Sequence, residues 1–174
     1  IHDESFTLTR EWVNMHDFVC QVVRALQVGA REKGVTIEFR DDGGVDMLYI
    51  DPMRFEQALT NLVDNALKHA PPGSTVRVGL GRASCGEEPL RMLLNQDVAV
   101  VSVEDEGPGI KSEEARELFN DFFVGETGRA RGGIGLGLAI TRDIVHAHGG
   151  QVEARPSDKG GHFVITMPLK LQDA

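Results

Sequence analysis

Residues 61–69 read NLVDNALKH, and they lie inside a longer segment in which apolar residues recur at helical spacing. Asn61, Asn65, Lys68 and His69 recur at three- and four-residue intervals, which gather side chains on one face of a helix. A carboxamide oxygen suits Mg²⁺, and a lysine beside it can hold phosphate oxygens. Asn is a poor former of helix interiors, so two Asn residues one turn apart suggest a binding site. A plain polar face that happens to contain Asn is an equal alternative for this helix. The apolar positions that can face a core are Leu59, Leu62, Val63, Ala66 and Leu67.

The length and composition fit one globular domain. A chain of 174 residues can bury a core, and 41% hydrophobic with 26% charged residues is ordinary for a soluble protein. The net charge of −9 argues against nucleic acid or an anionic membrane as the main partner. It leaves nucleotide binding open, because a phosphate site needs only local donors.

No apolar run approaches membrane-spanning length, and no signal peptide pattern is present. The first residue is Ile, so we expect a fragment of a longer protein. Cys20 and Cys85 have no metal-like spacing, and we expect both thiols to stay reduced in a cytoplasm. We expect this chain to lie in the cytoplasm. Whether the parent protein is anchored in a membrane is left open.

The hydrophobic patterns predict helices and strands in a regular order. Predicted helices cover residues 13–33, 51–70, 113–119 and 135–148, and predicted strands cover 35–40, 46–50, 75–80, 98–104, 151–155 and 162–167. This order predicts an α/β two-layer sandwich with a mixed sheet and three main helices on one face.

A second chemical signal is the segment DEGPGI, residues 105–110, directly after a predicted strand. Glycines at alternate positions let the backbone approach a flat ligand closely. Asp105 can accept a hydrogen bond from the exocyclic amine of adenine, where guanine presents a carbonyl. Asp, Gly and Pro also form ordinary turns, and a turn explains this segment better when it is taken alone.

A third signal is GGIGLGL, residues 132–138, which opens a predicted helix. Glycines at a helix N-terminus expose N–H groups to a phosphate, although a flexible hinge with a helix cap is the simpler alternative. The segment matches neither a Walker loop nor a dinucleotide fingerprint. A fourth signal is LFNDFF, residues 118–123, whose phenylalanines either anchor a lid or simply pack in the core.

The four segments, in this order and spacing, resemble the catalytic ATP-binding domain of sensor histidine kinases. That family belongs to a wider group with DNA gyrase, the Hsp90 chaperones and MutL, and its fold is of the Bergerat type. Residues 61–69 are similar to its N box, 105–109 to its G1 box, 119–123 to its F box and 133–137 to its G2 box. The sequence APPGS, residues 70–74, which follows the N box, resembles the corresponding stretch of potassium- or turgor-sensing kinases.

The resemblance implies roles for individual residues. Asn65 is expected to coordinate Mg²⁺ that bridges the phosphates of ATP, with Asn61 in support one turn earlier. Lys68 and His69 are expected to contact phosphate or ribose, and Asp105 to hold the adenine amino group. Asn61 and Lys68 are the expected catalytic residues. The remaining residues expected to contact the nucleotide are Gly107, Gly109, Ile110, Phe122, Gly133, Gly135, Leu136 and Gly137.

The resemblance also divides the chain. Residues 1–12 are expected to form a linker from a missing helical hairpin, and 13–170 the ATP-binding domain. Within it, residues about 120–132 are expected to form a lid, in which Arg129 and Arg131 are within reach of the γ-phosphate. Residues 171–174 are expected to form a tail.

Position 61 separates branches of this group. The ATP-hydrolysing relatives carry Glu one turn before the metal-binding Asn, where it acts as the base for water. Asn61 cannot accept that proton at neutral pH, which favours phosphoryl transfer to a side chain. Asp64 is adjacent to Asn65 but points elsewhere on a helix, so it is not assigned as the base.

None of the histidines resembles a phosphoacceptor, which in this family lies on a helical hairpin. We therefore expect a catalytic fragment of a two-component sensor histidine kinase that does not label itself. It would donate the γ-phosphoryl of Mg-ATP to a histidine on the dimerisation hairpin of its parent, from which a response regulator receives it. The alternatives are an anti-sigma-type serine kinase, an ATPase clamp or chaperone domain, and a non-enzymatic nucleotide sensor.

Overall fold

The computed structural model of the protein describes residues 7–83, 97–115, 118–119, 136–156 and 160–169. The helices are α1 (Met15–Glu32), α2 (Pro52–His69), α3 (Ser112–Ala115) and α4 (Leu136–Ala147). The strands are β1 (Glu11–Asn14), β2 (Thr36–Asp41), β3 (Met47–Ile50), β4 (Thr75–Ala83), β5 (Val98–Glu104), β6 (Gln151–Ala154) and β7 (His162–Pro168). No helix within these ranges is both long and apolar enough to cross a membrane.

A five-stranded sheet of order β2-β4-β5-β7-β6 forms one layer, and helices cover one of its faces. The β2–β4 pair is parallel and the other pairs are antiparallel, so the sheet is mixed. In β5, Val101 and Val103 are buried while Ser102 between them is partly exposed, as expected when only one face of a sheet is fully covered. This architecture confirms the predicted two-layer α/β fold.

Strand β1 is an element that the sequence analysis missed. Residues 11–12 were assigned to a linker and residue 13 to the start of a helix, but Trp12 pairs with Tyr49 and Val13 with Leu48 in a separate two-stranded sheet. Helix α1 begins only after Asn14, whose side chain accepts a hydrogen bond from the Asp17 N–H at 3.0 Å. This N-cap sets the start of the helix two residues later than predicted.

Helix α2 forms where the sequence predicts it. Asp51 is its N-cap and accepts a hydrogen bond from the Arg54 N–H at 3.2 Å, and Pro52 occupies the first helical position. The helix ends at His69, because Ala70 precedes a proline and adopts an extended conformation. Its apolar face is buried, as predicted, through Phe55, Ala58, Leu59, Leu62, Val63, Ala66 and Leu67.

A buried histidine joins the start of α2 to the end of α4. His148 Nε2 accepts a hydrogen bond from the Asp51 N–H at 3.0 Å, and His148 Nδ1 donates one to the Ile144 carbonyl at 2.8 Å. Burial lowers the pKa of His148, so the ring is neutral in this position. A histidine at a helix end interacts favourably with the helix dipole when it is charged, but His148 serves here as a neutral acceptor.

Candidate nucleotide-binding site

The polar face of α2 contacts the start of α4. Asn61 and Asn65 are half-buried on consecutive turns, and Lys68 is exposed near the end of the helix. The Asn61 amide Nδ2 donates a hydrogen bond to the Gly137 carbonyl at 3.1 Å. This contact brings the first predicted segment, in α2, against the third, in α4. An ideal Cβ on Gly137 would lie 3.7 Å from Asn61 Cγ, an ordinary packing distance.

Asn65 presents an unengaged carboxamide. Its backbone carbonyl accepts a hydrogen bond from His69 Nδ1 at 2.9 Å, which leaves His69 Nε2 as the ring's second polar atom. Within the described ranges, no hydrogen bond to the Asn65 side chain is found. A half-buried amide oxygen without a protein donor is chemically suited to a hard cation.

Asp105 lies at the end of β5 and is only 6% exposed. Its Oδ1 accepts hydrogen bonds from the N–H groups of Gly107, at 2.8 Å, and Gly161, at 3.0 Å. Its Oδ2 receives no hydrogen bond from any described residue. One carboxylate oxygen is therefore fixed by the protein, and the other remains for a donor on a ligand.

Gly107 connects the Asp105 turn to α2. A Cβ on Gly107 would lie 2.5 Å from the His69 carbonyl oxygen, so no larger residue fits without moving the backbone. Gly109 has a φ of 90°, a conformation that favours glycine. Ile110, which follows, is 8% exposed and joins the hydrophobic core. The second predicted segment is thus packed directly on the end of the first.

Gly160 and Gly161, which were not among the predicted site residues, complete the surroundings of Asp105. The Asp105 N–H donates to the Gly161 carbonyl at 2.9 Å, and a Cβ on Gly161 would lie 2.5 Å from Asp105 Oδ2. A Cβ on Gly160 would overlap the Asp105 carbonyl oxygen. A glycine pair before a strand was the available signal, but a hairpin turn explains such a pair equally well.

The segment around Phe119 is fastened to the core and to α4. The ring of Phe119 packs edge-on against Phe163, with centroids 5.9 Å apart. Arg142 Nη1 donates a hydrogen bond to the Phe119 carbonyl at 2.7 Å. Thr141 Oγ1 bridges α4 to α2 through the Gly137 carbonyl, at 3.0 Å, and the Ala58 carbonyl, at 3.3 Å.

Several predicted site residues lie outside the described residues. They are Phe122, Gly133, Gly135 and the predicted lid at 120–132, with Arg129 and Arg131 in it. Leu136 is the first residue of α4. The residues that the structure brings into one region are Asn61, Asn65, Lys68, His69, Asp105, Gly107, Gly109, Ile110 and Gly137.

This arrangement has a counterpart in a known family. Residues 50–171 match the family described as histidine kinase-, DNA gyrase B-, and HSP90-like ATPase. The chain belongs to this family. The match begins at the last residue of β3 and includes α2, the Asp105 turn and α4.

Relatives of this family member include sensor kinases. Sensor histidine kinase WalK of Bacillus subtilis (strain 168) is 29% identical over 170 residues, which cover 96% of this chain and 26% of WalK. Adaptive-response sensory kinase SasA of Synechococcus sp. (strain JA-2-3B'a(2-13)) is 34% identical over 155 residues, which cover 87% of this chain and 38% of SasA. The chain thus spans about a quarter to two fifths of the length of these relatives.

A solved structure supports the same grouping. The crystal structure of full-length ShkA in complex with AMPPNP aligns with a TM-score of 0.75 and 25% identity, and covers 98% of this chain and 33% of ShkA. Together these comparisons confirm the predicted family and the histidine kinase type of ATP-binding domain.

Proposed function

We propose that this domain binds Mg-ATP and serves as the catalytic part of a two-component sensor histidine kinase. In the intact protein, the γ-phosphoryl group passes to a histidine on a dimerisation hairpin and then to a response regulator. The family and the sensor kinases related to the chain support this function. We assign the domain to the cytoplasm, where ATP is available to it.

The adenine end of the site is assigned to Asp105. Its Oδ2, to which no described residue donates, is an acceptor, so it suits the amino group of adenine and disfavours the carbonyl that guanine places there. Gly107 and Gly109 keep side chains away from the plane of the base. The nucleotide analogue bound by ShkA, a protein of the same fold, supports a nucleotide in this region.

The phosphate end is assigned to the face of α2. The Asn65 amide oxygen is the protein ligand for Mg²⁺, and Lys68, His69 and Asn61 lie beside it. The phosphates of the nucleotide would complete the coordination of the metal. Mg²⁺ neutralises charge on the phosphates when it is bound.

The observation that favours transfer over hydrolysis is the engagement of Asn61. Its amide donates to the Gly137 carbonyl, so the side chain is oriented by α4 and offers no basic atom to a water molecule. In phosphoryl transfer the protein mainly positions reactants and stabilises charge. Because position 61 supplies no base for water, we expect the domain to hold ATP until an acceptor side chain arrives.

The experiment supplies the acceptor in a separate molecule. The chain is mixed with γ-labelled ATP, Mg²⁺ and the dimerisation hairpin of its parent protein, and label is measured on both polypeptides. We expect acid-labile label on a histidine of the hairpin and none on the chain alone. A second reaction supplies an anti-anti-sigma protein in place of the hairpin. Label on a serine of that protein would instead support the serine kinase, and steady release of phosphate without any acceptor would support the ATPase.

A further inference from the structure

A second group of chemically active side chains lies outside the nucleotide site. His16 is in the first turn of α1, Cys20 follows one turn later, and Asp41 is the last residue of β2. The four-residue spacing places His16 and Cys20 on the same face of the helix. None of the three residues belongs to the segments assigned to ATP.

The three side chains contact one another in the order Asp41, His16, Cys20. His16 Nδ1 lies 2.8 Å from Asp41 Oδ2, and His16 Nε2 lies 3.6 Å from Cys20 Sγ. The imidazole also packs on the ring of Phe39, with centroids 5.4 Å apart. The ring is therefore held on both of its nitrogen atoms and on one face.

These contacts select one tautomer of the neutral imidazole. A carboxylate accepts hydrogen bonds, so Nδ1 carries the proton, and in the neutral ring the lone pair on Nε2 then faces the thiol. Asp41 is kept ionised because the Gly43 N–H, at 2.8 Å, and His16 together hold the pKa of its carboxyl below 3.8. This is the order of carboxylate, imidazole and nucleophile that activates a thiol through a general base.

The thiol is also within reach of small reagents. Cys20 is half-buried and forms no disulfide, and the side chain of His16 is 54% exposed. A small, soft oxidant such as hydrogen peroxide can approach such a position without opening the fold.

We propose that Cys20 is an oxidative modification site at which hydrogen peroxide converts the thiol to sulfenic acid. The Cys20 sulfur attacks one peroxide oxygen, so an S–O bond forms and the O–O bond breaks. His16 Nε2 takes the thiol proton and passes it to the leaving hydroxide, which becomes water. Sulfur loses two electrons and peroxide gains them. Asp41 is a positioning residue, because it acts on the thiol only through the imidazole.

The test uses the chain with Cys85→Ser, which leaves Cys20 as the sole thiol in the sequence. The folded chain and the same chain unfolded in urea are treated with hydrogen peroxide, and sulfenic acid is trapped with dimedone and counted by intact mass. A half-buried thiol without activation reacts more slowly in the folded state. We expect the opposite, with the folded chain reacting about tenfold faster, a small part of what a positioned general base contributes in enzymes.

Two substitutions separate activation from packing. Asp41→Asn and His16→Gln should each reduce the folded rate about tenfold toward the unfolded rate. Asp42→Asn is the matched control, because Asp42 is adjacent, pairs with Arg40 at 2.8 Å and does not contact His16, so its rate should equal the parent rate. Thermal unfolding confirms that each variant is folded. A folded rate no higher than the unfolded rate, or unchanged rates in both His16→Gln and Asp41→Asn, would overturn the proposal.

Discussion

Asp105 and Gly161 hydrogen-bond each other in both directions although they lie 56 positions apart. The Asp105 N–H donates to the Gly161 carbonyl at 2.9 Å, and the Gly161 N–H donates to Asp105 Oδ1 at 3.0 Å. The carboxylate is thereby fixed on the end of β5 by the turn that opens β7. Its orientation depends on the sheet and not on the local turn alone, which makes it a preorganised acceptor.

Replacing Asp105 with Asn should weaken ATP binding without unfolding the domain. The amide oxygen can still accept hydrogen bonds from the Gly107 and Gly161 N–H groups. The amide nitrogen would then face the amino group of adenine, and the two groups, both donors, cannot form a hydrogen bond. Loss of one charge-assisted hydrogen bond costs about 1.5–3 kcal/mol, which is roughly a tenfold to hundredfold increase in Kd. Calorimetric titration with ATP measures this increase in Kd. Glu106→Gln, an adjacent and exposed carboxylate, is the matched control and should leave Kd unchanged.

Adding a methyl group at Gly161 should have a similar effect through geometry alone. A Cβ there lies 2.5 Å from Asp105 Oδ2, so Gly161→Ala must displace the carboxylate. We expect ATP affinity to fall by about tenfold or more, while circular dichroism stays that of a folded domain. Gly29→Ala is the control, because nothing lies within 4 Å of a Cβ at that exposed position of α1. It should raise stability by roughly 0.5–1 kcal/mol and leave ATP affinity unchanged.

Replacing Asn65 with Ala should remove the dependence of ATP binding on Mg²⁺. In the proposed site, the Asn65 amide oxygen is the ligand that α2 offers to Mg²⁺, and the Asn61 amide is held by the Gly137 carbonyl. ATP titrations with Mg²⁺ and with a chelator should give clearly different Kd values for the parent and similar values for Asn65→Ala. Asp64→Asn, the next residue and an exposed one, should keep the parent's Mg²⁺ dependence. A full Mg²⁺ effect in Asn65→Ala would refute the metal assignment.

The stability of the domain should fall as pH is lowered from about 7.5 to about 5.5. Burial lowers the pKa of His148, and likewise of His146 and His162, below the ordinary 6.5. Between those folded-state pKa values and 6.5, the unfolded chain binds more protons than the folded chain, so the free energy of unfolding decreases as pH falls. Urea unfolding at the two pH values measures this.

One substitution isolates the contribution of His148 to this dependence of stability on pH. His148→Gln keeps a side-chain acceptor for the Asp51 N–H and should show a smaller loss of stability with falling pH. Asp51 does not contribute to this loss of stability, because it stays ionised between the two pH values. Burial opposes its ionisation, but hydrogen bonds from the N–H groups of Thr9, Arg54 and Met53 prevail and hold its pKa below 3.8. Equal unfolding free energies at both pH values for the parent would contradict the neutral, buried state of His148.

Features set by local chemistry could be predicted from the sequence. Helix α2 has its N-cap, its first-turn proline and its terminating proline pair within one segment, and its apolar spacing identifies the buried face. The Asp105 turn could be located because the segment DEGPGI directly follows a predicted strand. The face of α2 that carries Asn61 and Asn65 was predicted from spacing alone.

Features set by distant contacts could not be predicted. Strand β1 exists because it pairs with β3, more than thirty residues later in the chain, and its own sequence continues smoothly into a helical pattern. The contact of Gly161 with Asp105 and the hydrogen bond from Asn61 to Gly137 depend on tertiary packing in the same way. The neutral state of His148 likewise depends on its contacts with Asp51 and Phe55, which a single sequence does not show.

We propose that one site holds an adenine at Asp105 and magnesium-bound phosphates at Asn65. The most direct test is calorimetric titration of the folded chain with ATP and with GTP, each with and without Mg²⁺. We expect that ATP binds, that removal of Mg²⁺ weakens its binding, and that GTP binds at least about tenfold more weakly than ATP. A folded protein that gives no heat with Mg-ATP, or that binds GTP as tightly as ATP, would contradict it.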